Sequence, residues 1–322
     1  MSNSDKLTRI QQWLGVKTLG IYVGTYTASW TLAQFEAKAV QFAAQGVDYA
    51  IIKVGEAGHE WYNGTFPAIR AVFLKHGVGC APFYFNRPQY WQSDASICAK
   101  LANEAGGIIL DCEEQFLNQS GPLRSLVDAV RAQAPDKCIV VTGYGDPTTA
   151  LGFGWDFSAI QNADGYQPQW YIGWWTPYKQ GGWQYAIGWA DGQCAQQFAH
   201  FGLGQDFPIQ PAINVEGVNE ADLKPLCQYL TAWKDGVAVW ENNDINGQMI
   251  ADMKAGLGVS VAAPVVATPP PVKRSYMVKY GDNLSEIASK LGIADWHVLY
   301  DENKATIGIN PNLIHAGQIL YY

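Results

Sequence analysis

The chain has 322 residues, a hydrophobic content of 48 % and a formal net charge of −8. That length accommodates two domains, and the composition is that of a soluble globular protein with a large core. The acidic balance, without any polybasic run, argues against a nucleic-acid binder or a membrane-surface protein, and no apolar run is long enough to span a bilayer. The opening MSNSDKLTRIQQWLGVKTLG has no apolar h-region and no cleavage motif, so it does not read as a secretory signal peptide. The expectation is synthesis in the cytoplasm, with any action at a cell wall following release by another agent.

In chain order, the apolar runs read as strands at residues 19–24, 49–54, 79–85, 108–113, 138–144, 167–174, 208–214 and 237–240. Between them, the clearest helical patterns fall at 32–45, 67–76, 95–104, 122–133, 193–201 and 220–233. Strands alternating with helices imply a parallel sheet, and eight such units fit a closed (β/α)8 barrel, an α/β fold. A doubly wound open sheet is the alternative, but no Gly-rich phosphate loop follows the first strand. Residues 146–163 and 176–188 read as irregular working loops at the C-terminal ends of strands. The six cysteines, Cys80, Cys98, Cys112, Cys138, Cys194 and Cys227, show no CxxC pair and no metal spacing. They are expected to be buried free thiols. The 13 tryptophans suit either core packing or sugar recognition.

The fourth strand, GGIILDCEEQF, carries the chemistry. Residues alternate faces along a strand, so Ile109, Asp111 and Glu113 share one face, the lumen in a barrel. Side chains two apart stand about 6–7 Å from one another. Two such carboxyls in a partly dry pocket perturb each other, one holding its proton while the other stays ionised. Glycosidic cleavage needs that division: an acid for the leaving oxygen and a carboxylate to stabilise positive character in the sugar. Glu113 is read as the acid, with Asp111 stabilising charge or orienting the substrate. The alternative is a solvated strand end.

Glu216, after the seventh strand in PAINVEG, is a further catalytic candidate or a solvated loop residue. Tyr144 ends the fifth strand, Gln169, Trp170, Tyr171, Trp174 and Trp175 cluster at the sixth, and Trp240 and Glu241 close the eighth. They suit sugar subsites, or serve as core and lid packing. No metal or organic cofactor is implied.

Residues 256–275, GLGVSVAAPVVATPPPVKRS, read as a semi-extended linker after a domain spanning 1–255. The remainder, 276–322, follows strand, helix, helix, strand: Tyr276, Val278 and Tyr280 alternate, Leu284, Ile287 and Ala288 recur at helical spacing, and Ile319-Leu320 return as a strand. With Gly281-Asp282, Asn303, Asn310-Pro311-Asn312, Ile314 and Gly317-Gln318 in place, the tail resembles the LysM family over nearly its whole length. That resemblance implies binding of N-acetylglucosamine polymers, peptidoglycan or chitin. It sets Gly281, Asp282, Asn283 and Leu284 near the sugar, with Ile314 and His315 opposite. The same residues also serve as turn and core.

The barrel carries resemblances too. GGIILDCE looks like the fourth-strand motif of family 18 chitinases in its final Asp-x-Glu. The stretch YAIIKVGEAGHEWYNGTFPAIRAVFLKHGVGCAPFYFNRP looks more like family 25 glycoside hydrolases, the barrel lysozymes, matching at Lys53, Glu56, Tyr84 and Phe85 and again at Asp111 and Glu113. That family has an Asp on its first strand where this chain has Tyr22, and Glu241 or Asp244 stands where its last strand offers another. A catalytic part, a linker and a wall anchor together resemble a phage endolysin. The expected function is hydrolysis of peptidoglycan glycan strands. The rival is a glycan-binding or phage-structural protein with a degenerate barrel.

Overall fold

The computed structural model describes the chain except residues 24–26, 63, 146–155, 173–175, 234–235, 241–244, 259–274, 280, 294, 308–309, 313 and 316–317. Eight apolar runs form parallel strands: β1 (Thr18–Val23), β2 (Tyr49–Glu56), β3 (Gly79–Phe85), β4 (Gly107–Asp111), β5 (Cys138–Tyr144), β6 (Gly165–Trp170), β7 (Ala212–Asn214) and β8 (Gly236–Trp240). Each pairs with the next, and β1 pairs with both β2 and β8, so the sheet closes. A two-residue strand, His59–Glu60, folds back antiparallel on the end of β2. This is a (β/α)8 barrel, and the open-sheet alternative is set aside by the β1–β8 pairing.

Two cores follow from the two faces of each strand. Ile21, Ile52, Tyr84, Leu110, Val141, Trp170, Ile213 and Val239 pack outward in the layer beneath the helices. Tyr22, Ile51, Phe83, Ile109, Val140, Ala212 and Ala238 fill the lumen. All six cysteines are buried and unbridged. No helix among the described residues is long and apolar enough to cross a membrane.

The first helix, α1 (Asn3–Leu14), was not among the helices expected from the pattern. A capping box starts it, with Ser2 and Asp5 exchanging hydrogen bonds. Its Ile10 and Leu14 join the lumen core, with Trp13 packed beside them. Trp13 Nε1 donates to Ala105 O at 3.1 Å, and a Cβ on Gly107 would come within 2.5 Å of its ring. Thus α1 closes the end of the barrel where β4 begins. Bare backbone at Gly107 is what lets the indole approach.

Six more helices belong to this part: α2 (Leu32–Gln45), α3 (Phe66–Lys75), α4 (Trp91–Ala105), α5 (Ser120–Gln133), α6 (Thr176–His200) and α7 (Glu220–Trp233). An eighth, α8 (Gly247–Gly256), ends beside Leu257, which is packed into the outer core. Helix α6 corrects the reading of 176–188 as irregular. Trp183, Ala186, Ile187, Ala190, Cys194 and Phe198 recur at helical spacing and are buried, and the non-helical backbone within the helix is at Gly182, φ 74°.

The chain divides into two compact units, Met1–Val265 and Val266–Tyr322. Most of the segment read as a linker lies outside the described residues. In the second unit β9 (Ser275–Met277) pairs antiparallel with β10 (Ile319–Tyr321), and α9 (Leu284–Leu291) and α10 (Trp296–Ile307) lie between them in sequence. Val278, Leu284, Ile287, Ala288, Leu299, Tyr300, Ile307 and Leu320 form its core.

Candidate active site at the barrel mouth

Strand β4 delivers Asp111 to the lumen side at its last position, in register with Phe85 on β3 and Thr142 on β5. Asp111 is 4 % exposed, while Glu113, two residues on, is half-buried. Gln169, near the end of β6, spans the two. Its Nε2 lies 2.7 Å from Glu113 Oε1 and 3.4 Å from Asp111 Oδ1. Burial drives the Asp111 carboxyl well above the usual carboxylate range. The charge of Glu113 acts in the same direction, and Lys53 opposes both. The sequence reading placed the raised proton affinity on Glu113; the structure places the burial that produces it on Asp111.

Lys53 comes from β2. Its Nζ pairs with Glu56 Oε2 at 2.7 Å and lies over the rings of Trp61 and Phe85, at 4.8 and 5.1 Å from their centroids. Desolvation by these rings strengthens the field that the ammonium exerts. Behind this edge, Asp94 on α4 is wholly buried and accepts from Gly58 N at 2.7 Å and Arg87 N at 3.2 Å. It thereby ties together the loops that follow β2 and β3.

The floor of the mouth is aromatic. Tyr22 packs on Phe83 and Trp240, with ring centroids 5.0 and 4.8 Å apart, and Tyr171 lies 6.5 Å from Trp240. Tyr22 Oη donates to Gln167 Oε1. Gln167 Nε2 reaches Gln210 Oε1 at 3.4 Å, and Gln210 Nε2 donates to Tyr49 Oη at 2.9 Å. A polar ladder therefore descends through the lumen, each member answered by the next, as buried polar groups require. Burial raises the Tyr22 and Tyr171 hydroxyls well above the ordinary value, with the Asp111 charge the next cause for both.

The expected site residues separate by strand face. Asp111, Glu113, Gln169, Tyr171 and Trp240 meet at the mouth, and Glu56 joins them at one side through Lys53. Tyr84 and Trp170 do not: both are wholly buried in the outer layer. Neighbours on a strand point opposite ways, so Trp170 turns from the lumen because Gln169 turns into it. A ring packed beneath the helices, on the far side of the strand from the mouth, offers a sugar nothing, and these two assignments are corrected. Tyr144 ends β5 in register with Gln169, with its side chain outside the described residues. Trp174, Trp175, Glu241 and Asp244 also lie outside them. Glu216 sits on an exposed turn two residues past Asn214, and its backbone carbonyl accepts from Asn214 Nδ2 at 3.1 Å.

In the second unit, the residues expected near a glycan have structural partners. Leu284 is buried in the core, and Ile314 packs against it. Asn283 caps α9, accepting from Glu286 N at 3.0 Å. Gly281 takes φ 87°, open to glycine without strain. Asp282 accepts from Lys279 N, Tyr276 Oη and Lys290 Nζ at 2.8, 2.9 and 3.0 Å. Among the described residues no cluster of His, Cys, Asp or Glu is placed to hold a metal.

The sequence reading missed Gln167, Gln210 and Asn214. Gln167 stands two residues before Gln169, and that period-two spacing was the available signal.

No family model matches the chain, and no curated protein matches its sequence. Solved structures do resemble it. A candidate α-L-fucosidase from Bacteroides thetaiotaomicron aligns over 77 % of this chain and 95 % of its own, at 9 % identity and a TM-score of 0.50. The ligand-free cyclic α-maltosyl-(1→6)-maltose hydrolase of Arthrobacter globiformis aligns over 76 % of this chain and 83 % of its own, at 12 % identity and a TM-score of 0.48. At such identities the likeness to the first defines a shared barrel fold, and chemistry has to be argued from the site itself.

Proposed function

We propose that the barrel mouth cleaves glycosidic bonds in an N-acetylglucosamine-containing glycan, peptidoglycan foremost, and that the second unit is a LysM-type glycan binder. The observation that carries the reading is the buried Asp111 beside half-buried Glu113, bridged by Gln169. Asp111 stores a proton because burial holds it there. Glu113, nearer solvent, receives that proton and passes it to the departing glycosidic oxygen. Asp111, left as a carboxylate, then faces the positive character that develops on the sugar, and the water that adds at that carbon gives up a proton that returns through Glu113 to Asp111. Trp240 and Tyr171 offer ring faces for the sugar's apolar side. The βααβ order and the tail motifs support the LysM assignment. An endolysin-like role, with release to the wall, accords with the pairing of such a mouth and such a tail.

Purified cell walls should lose turbidity when treated with the wild type. Glu113→Gln keeps the shape, removes the proton donor and should lower the rate about 10²–10⁴-fold. Glu113→Gln as active as the wild type would end the assignment of the acid.

A second reading is supported by Tyr22. It occupies the first-strand position where barrel lysozymes carry an Asp, and its hydroxyl is engaged by Gln167. A mouth without that carboxylate suits a protein that holds glycan without cutting it. Wild-type protein that sediments with walls and leaves their turbidity unchanged would select this reading.

A further inference from the structure

Strand β7 ends at Asn214, which is wholly buried. Ala212 belongs to the lumen core and Ile213 to the outer layer, so alternation turns Asn214 inward. It stands in register with Trp240 at the end of β8. Its Nδ2 donates to Glu216 O at 3.1 Å. The reverse amide orientation would set two acceptors against each other, so Oδ1 is fixed as the free end. No group among the described residues donates to that oxygen.

Several polar groups of the mouth are matched among the described residues. Asp111 and Glu113 have Gln169, Glu56 has Lys53, and Gln167 has Tyr22. Asn214 Oδ1 has no such partner. Burying an unanswered acceptor works against folding, and a mouth that keeps one beside an aromatic ring is set to receive a donor.

We infer that Asn214 is a specificity-determining residue, whose Oδ1 accepts a hydrogen bond from an amide N–H or a hydroxyl of the sugar held beside Trp240. The inference rests on the glycan reading above. A site built around a buried acceptor discriminates against sugars that lack the matching donor.

The test is calorimetric titration of the full chain with tetramers of N-acetylglucosamine, glucosamine and glucose, alongside thermal melts. Asn214→Leu removes both polar atoms at similar volume. It should melt at the same temperature as the wild type or higher, while its affinity for the preferred tetramer falls about tenfold, about 1.4 kcal/mol. Asn214→Ala carries the same expectation for affinity should leucine crowd Trp240. The second unit contributes equally to every chain, so the difference belongs to the barrel. A loss confined to the N-acetylated tetramer assigns the amide N–H, and an equal loss on all that bind assigns a hydroxyl. Unchanged affinity in both variants overturns the inference and leaves the glycan reading standing. A wild type that binds none of the tetramers removes the glycan reading and this inference together.

Discussion

Gln169 Nε2 donates to Glu113 Oε1 at 2.7 Å and stands 3.4 Å from Asp111 Oδ1. One amide thus fixes the spacing of two carboxyls that differ in burial. Gln169→Leu removes the clamp and should lower kcat for wall lysis about 10²-fold, the scale of loss when a reacting group is misplaced by an ångström. KM should change little, because Gln169 acts through Glu113. A kinetic series on solubilised glycan strands checks this, and a rise in KM at constant kcat would make Gln169 a binding residue instead.

Asp111 also sets a pH dependence of stability. Its folded carboxyl titrates well above the ordinary value, burial being the main cause. In the window between the ordinary carboxylate pKa, about 3.9, and the raised one, the native state binds more protons than the unfolded chain. Its contribution is therefore fully present below that window and is lost as pH rises through it. Asp111→Asn has no proton to lose. Melts of the two chains from acid to neutral pH should diverge, the variant gaining relative to the wild type as pH rises. Parallel curves would mean that Asp111 is hydrated in solution.

The alternation of Ile109 and Asp111 was legible because strand faces have a period of two, and eight strand-like runs were enough to read a barrel. The same rule, applied along β6, would have kept Gln169 and discarded Trp170, which side-chain type alone had recommended. Tyr84 was carried in by resemblance and lost by its face. Asn214 gave no signal, since an Asn at a strand end is ordinary until the lumen closes over it. Helix α1 offers only Ile10, Trp13 and Leu14 to the core, and their purpose is visible only when the barrel end they close exists.

Tyr22 separates the needs of the fold from those of the proposed chemistry. Its hydroxyl is the donor for Gln167 Oε1 in the buried ladder. Tyr22→Phe keeps the ring contacts with Phe83 and Trp240 but leaves that acceptor unanswered, a cost of about 1–3 kcal/mol. The melting temperature should fall by about 2–4 °C for each kcal/mol, with the rate of wall lysis little changed. A large loss of activity at unchanged stability would show that the hydroxyl takes part in the chemistry.

Asp282 makes the corresponding case in the second unit, with the opposite sign. Its carboxylate gathers the backbone N–H of Lys279, the Tyr276 hydroxyl and the Lys290 ammonium, joining β9, the turn and α9. Those bonds, the Lys279 N–H foremost, hold its pKa down at about 2. A carboxylate depressed on folding stabilises above its unfolded value, about 3.9, and that contribution is lost as pH falls through the folded value. The second unit should therefore loosen between about pH 4 and pH 2. The indole resonance of Trp296, on α10 in the same unit, reports this locally by NMR whatever the barrel does. In Asp282→Asn the charge is absent at every pH, so the resonance should already be broadened or shifted at neutral pH and should change little on acidification. The glycan binding proposed for the second unit should weaken in this variant only to the extent that the fold does, because the three donors already occupy the carboxylate. A variant with a native Trp296 signal and no affinity for chitin would show instead that Asp282 meets the sugar directly.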